Sequence, residues 1–187
     1  MAEIIIPGNG VIFMKVGIHA GEGIDEILER KRKEIEVAGV SFWGYGGPTC
    51  HPITAVRPFV KQIQANGHSI YLIMQKMESN HFAEPKLAEQ YSDDGVVWKP
   101  IPEGVNVKGS RYALTLKSLE THLEDLDYDS LRVGVGRSEG KPARDYVKGR
   151  VDKGCFVVSD EHAISEDPPL HIDLVATLKE PYAVLLK

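Results

Sequence analysis

Aromatic rings, glycines, a thiol and an imidazole fall together between Gly39 and Pro58, in the stretch GVSFWGYGGPTCHPITAVRP. The faces of Phe42, Trp43 and Tyr45 suit contact with a planar ligand, and Gly39, Gly44, Gly46 and Gly47 let backbone approach closely. A strand ending in a tight turn, with a helix starting near Pro52, would present them together. The expected site is a wall of Trp43, Tyr45, Gly46 and Gly47, with Arg57 on the following helix to meet an anionic group. The competing reading is a packed turn, in which Phe42 and Trp43 fill opposite faces of a strand and the glycines only shape the bend. Cys50 is the alternative nucleophile, since a thiol near a helix start has a depressed pKa. His51 is a poor base for it, because adjacent residues in extended backbone point apart, and a distant histidine is the better partner.

Other reactive groups are dispersed. The histidines are His19, His51, His68, His81, His122, His162 and His171, with no HExxH or CxxC spacing, and no metal site is expected. His171 and Asp173 share a face if their segment is extended, which is geometrically compatible with ligation. GVGRSEGK after a strand hints at a phosphate loop but misses both glycine patterns, and Pro142 follows Lys141 where a hydroxyl is required. Arg137, Lys141 and Arg144 remain able to clamp an anion. Glu139, Asp145, Glu161 and Asp173 are acid–base candidates whose spacing defines no pair.

The elements that must carry these residues follow from periodicity. Val11–Ile18 reads as a strand. Residues 24–37 form the clearest helix, with Ile24, Ile27, Leu28 and Ile35 as its apolar stripe and Lys31 along the edge. Glu26–Arg30 and Glu29–Lys33 are its favourable pairs, and Arg30–Lys33 its solvated face. Val40–Trp43 enters the central turn, and residues 53–65 form a second helix that contains Pro58. His68–Met77 is a strand apolar on both faces, hence central in a sheet. Beyond it we expect a short helix at Pro85–Tyr91, a strand at Val96–Trp98, a strand or bent pair over Val105–Leu116 and a weak helix at Leu119–Leu126. Strands at Leu131–Val135 and Cys155–Val158 flank a loop with a helical turn, and Leu170–Leu178 and Tyr182–Leu185 form a closing hairpin.

Short strands with few helices between them define an α+β class: one domain over 1–187, with a mixed, mainly antiparallel sheet and two principal helices. A formal charge of −5, with six basic and seven acidic groups in residues 1–60 and 16 and 20 in the rest, argues against duplex nucleic acid as partner. Two cysteines do not make a disulfide scaffold; with no leader-like pattern in MAEIIIPGNG and no membrane-length apolar run, they point to the cytoplasm. The leading function is recognition of a small planar or anionic ligand, nucleotide-like in class. The alternatives are a small hydrolase or transferase that uses Cys50 or a histidine, and a protein-interaction domain. No cofactor or oligomeric state is legible.

Overall fold

The computed structural model describes residues 4–19, 21–46, 51–81, 86–147, 153–161 and 168–187, with the side chains of 19 and 79–81 outside the description. The protein is α+β. Its strands are β1 (Gly10–His19), β2 (Ser41–Gly44), β3 (Ile70–His81), β4 (Gln90–Ser92), β5 (Lys99–Pro100), β6 (Tyr112–Leu126), β7 (Leu131–Val133), β8 (Lys153–Val158) and β9 (Leu170–Leu186). The helices are α1 (Ile24–Ala38), α2 (Ile53–Ala65) and the short α3 (Ala143–Val147). The strands hydrogen-bond in the order β2-β6-β9-β3-β1-β8-β7, mostly antiparallel, and β4 joins both β5 and β9. Contacts group the chain into two units. The first comprises Met1–Lys15, Thr54–Lys76 and Glu120–Val175; the second comprises Val16–Ile53, Met77–Leu119 and Ala176–Lys187.

In the first unit, β1 pairs with β8 from Gly10↔Val157 to Met14↔Lys153, and β7 pairs with β8 from Leu131↔Val158 to Val133↔Phe156. β3 is buried on both faces, with Ile70, Leu72 and Met74 on one and Tyr71 and Ile73 on the other, as its double apolar pattern predicts. One face joins Phe13, Tyr71, Ile73, Phe156 and Ile172 in a core. α2 buries Val56, Phe59, Val60 and Ile63. Gly10 lies under Ile63 and Ile70, and Gly134 under Phe59, where an added Cβ would sit 2.5 Å from the ring. Pro58 is tolerated because, this early in α2, it removes only the bond to the Thr54 carbonyl.

In the second unit, β2 pairs with β6 from Ser41↔Leu116 to Gly44↔Ala113, and β4 pairs with β9 at Tyr91↔Leu186. Phe42, Val105, Val107, Ala113 and Val184 form its core, and the Phe42 and Tyr91 rings meet edge to face at 5.1 Å. α1 starts where the Gly23 N–H donates to Glu26 Oε2 (2.9 Å). It stops at Gly39, which adopts φ 69° and donates to the Ile35 carbonyl. Its inner face differs from expectation. Ile27 and Leu28 are buried, but Lys31 and Glu34 complete the stripe, while Ile24 and Ile35 stay half-buried. Arg30 pairs with Glu22 and Glu34, so Arg30–Lys33 is not simply a solvated face.

Four further expectations are corrected. Residues 86–89 are not helical, and Val96–Trp98 is a turn: Asp94 Oδ1 accepts from the Val96 and Val97 N–H groups at 2.8 and 2.9 Å, which captures the backbone before it can pair. Leu119–Leu126 continues β6 rather than forming a helix, because sheet pairing overrides its three-to-four-residue leucine spacing. Leu170–Leu186 is one strand instead of a hairpin; it passes through a cis Glu180–Pro181 bond and Tyr182 at φ 67°.

Candidate functional site

β2 holds Trp43 in the sheet opposite Leu114 of β6, one residue before the strand ends and entirely within the second unit. Past Gly44 the chain leaves the regular ladder, and the Tyr45 and Gly46 N–H groups both donate to the Tyr112 carbonyl at 3.1 Å. Ser110 Oγ lies 2.7 Å from the Gly46 carbonyl and 2.8 Å from the Tyr112 carbonyl, its one proton shared between them. At the far end, the Tyr112 hydroxyl donates to the His51 carbonyl at 2.5 Å. A single residue therefore holds the segment at both ends.

The rings are enclosed. Trp43 is 6% exposed and Tyr45 0%, and the Tyr45 and Tyr112 rings are tilted at 54° with centroids 5.9 Å apart. At Gly46 a Cβ would stand 2.2 Å from the Tyr112 ring, so this position requires glycine for a close approach. His51 is half-buried, and burial pushes its imidazole below the usual histidine pKa. Gly47 and Cys50 lie outside the described residues. Arg57 is half-buried on α2 and belongs to the first unit, whereas Trp43, Tyr45 and Gly46 belong to the second. Tyr112 and Ser110 are the residues that sequence reasoning missed. Tyr112 reads as an ordinary inward strand residue, and no local pattern reports that it reaches a turn 61 residues away.

Several of the remaining candidates have partners within the fold. In the loop 133–141, the N–H groups of Glu139, Gly140 and Lys141 donate to the Gly136, Val133 and Ser138 carbonyls. Arg144 pairs with the buried Asp129, and Arg132 approaches Glu161 at 3.6 Å. On the first unit's sheet, His171 Nδ1 lies 2.9 Å from Asp125 Oδ1, and its Nε2 lies 3.6 Å from Asp173 Oδ1. The hydrogen bond to Asp125 raises the His171 pKa against the opposing effect of desolvation, and Asp173 adds to the rise. Among the described residues no group of three or more His, Cys, Asp or Glu side chains could hold a metal ion, and no helix is long and apolar enough to cross a membrane. Comparison of the chain with protein-family models, curated proteins and solved structures returns no match.

Proposed function

We propose that the turn after β2 binds a small planar or anionic molecule, nucleotide-like in class. The observation that carries this reading is the double grip of Tyr112, whose carbonyl and hydroxyl hold opposite ends of one glycine-rich segment. Tyr45, Gly46 and His51, held by these bonds, lose little conformational freedom when a ligand arrives, and that lowers the entropic cost of binding. His51 supplies recognition: as a neutral imidazole it offers one donor and one acceptor, the pairing that a heterocyclic base edge complements. In this reading Trp43 and Tyr45 are the buried aromatic support of the site, and Gly46 admits the Tyr112 ring. The low cysteine content, two in the chain, supports a reducing compartment, the cytoplasm, as the place of action.

A thermal-shift screen of nucleotides and other planar anions tests the proposal. We expect a hit whose affinity falls about 10-fold or more in Tyr112→Phe or His51→Ala, the effect of losing about 1.4 kcal/mol. Binding indifferent to both substitutions, or no binding by any compound, argues against it.

The lowered pKa of His51 favours one second reading, a hydrolase or transferase in which this imidazole is the general base. Turnover of activated esters or phosphoesters that survives in His51→Gln would reject that role.

A further inference from the structure

The inner face of α1 carries a polar cluster within the second unit. Glu34 Oε1 accepts from Arg30 Nη1 at 3.1 Å and from the Asn106 N–H at 3.0 Å. Its Oε2 accepts from Lys31 Nζ at 2.9 Å and from Ser41 Oγ at 2.6 Å. Lys31 Nζ also donates to the Phe42 carbonyl at 2.7 Å and to the Asn106 carbonyl at 2.5 Å. Arg30 donates to the Asn106 carbonyl and, at its other end, to both oxygens of Glu22, which Lys108 approaches at 3.6 Å. Lys31 and Glu34 are 4% and 2% exposed.

Two segments converge on this pair. Ser41 and Phe42 open β2, which runs directly into Trp43, Tyr45 and Gly46. Asn106 lies just before Ser110 and Tyr112, the residues that grip the same turn. We infer that the buried Lys31–Glu34 pair is a positioning element for β2 and the Tyr45–Gly46 backbone that follows it, holding β2 and the Asn106 segment and tying their placement to the protonation of Lys31. The consequence for ligand binding rests on the function proposed above; the placement itself does not.

Three features support the inference. An apolar pair of equal volume would fill this space without fixing which carbonyls meet, whereas directional bonds to Phe42 and Asn106 set the register of both segments. The ammonium has three protons and meets three acceptors, so it is saturated; the neutral amine donates two and must release one of them. Burial lowers the Lys31 pKa to about 8 despite the opposing pull of Glu34, so this change falls close to neutral pH. The charged and titratable groups around Lys31 are Arg30 and Glu34 on α1, Glu22 before it, and Lys108 beyond Asn106.

Trp43 reports on the turn directly. In a background of Trp98→Phe and Cys50→Ser, Trp43 is the remaining indole and the thiol of the turn is removed. Its emission is followed from pH 6.5 to 9.5, without ligand. We expect a single transition with its midpoint near the Lys31 value of about 8. It should be absent from Lys31→Met, with far-UV circular dichroism confirming that this variant folds. Glu34→Gln, which removes the partner anion, should move the midpoint to lower pH and provides the test if Lys31→Met does not fold. A flat profile, a transition that persists in Lys31→Met, or an unmoved midpoint in Glu34→Gln would overturn the inference. Failure of the ligand screen with this transition intact would remove the proposed function and leave the positioning role standing.

Discussion

Gly46 and Tyr112 define the site at the scale of single residues. A Cβ at position 46 must displace the Tyr112 ring, 2.2 Å away. Gly46→Ala is therefore expected to destabilise by about 1–3 kcal/mol, the usual cost of overpacking, as measured by urea unfolding. Tyr112→Phe keeps the ring and removes only the hydroxyl bond to His51, so its loss should be smaller, about 0.5–1.5 kcal/mol. The histidines make an opposed pair of tests. His171, hydrogen-bonded to Asp125, should titrate above the ordinary histidine value, and His51, lowered by burial, should titrate below it, both read from ring-proton shifts. For His171 the raised folded pKa means that its contribution to stability is complete below pH 6.5 and disappears as pH rises through the folded value. Asp125→Asn should bring its midpoint down; an unchanged midpoint would show that the bond to Asp125 does not set it.

At the scale of elements, α1 and α2 were the most legible. The expected helices at 24–37 and 53–65 match Ile24–Ala38 and Ile53–Ala65, because apolar spacing and stop glycines act locally. What α1 buries was less legible. Lys31 and Glu34 are inside because Phe42 and Asn106 supply bonds from other segments, and Asn106 is 75 residues away from Lys31. The same limit hid β6: Leu119 and Leu126 are buried while Leu123 is 70% exposed, a pattern produced by sheet neighbours and not by helical turns. In the candidate site the residue types were legible, but the enclosure of Trp43 and Tyr45 and the grip of Tyr112 depend on β6 arriving beside β2. Removing the Lys31 charge with Lys31→Met leaves the buried Glu34 without its ammonium partner and takes one donor from the Phe42 and Asn106 carbonyls, with an expected loss on the order of 3–5 kcal/mol. The pH dependence has a definite sign. The folded pKa of Lys31, about 8, lies below the ordinary value of 10.5, so between these pH values the unfolded chain binds more protons. Stability from this group therefore rises with pH across that window, and the rise should vanish in Lys31→Met when denaturant midpoints are compared at pH 7.5 and 10.

For the whole molecule, the residue pattern specified the class correctly: a mostly antiparallel sheet with few helices. It did not specify how far single strands extend. β9 runs unbroken where Lys179–Pro181 reads as a turn, and Thr115 Oγ1 bonds the Lys179 carbonyl across from β6 at that point. Two cysteines do not make a disulfide scaffold, so reductant is expected to leave the melting temperature unchanged. The central claim is that the turn held by Tyr112 is where a small ligand binds. The most direct measurement is an amide chemical-shift map of the whole chain, titrated with the strongest nucleotide-like hit from the screen. Saturating shifts concentrated at Trp43–Gly46, His51 and Ser110–Tyr112, and lost in Tyr112→Phe, are the result expected. Shifts that saturate elsewhere while these amides stay still would contradict the account.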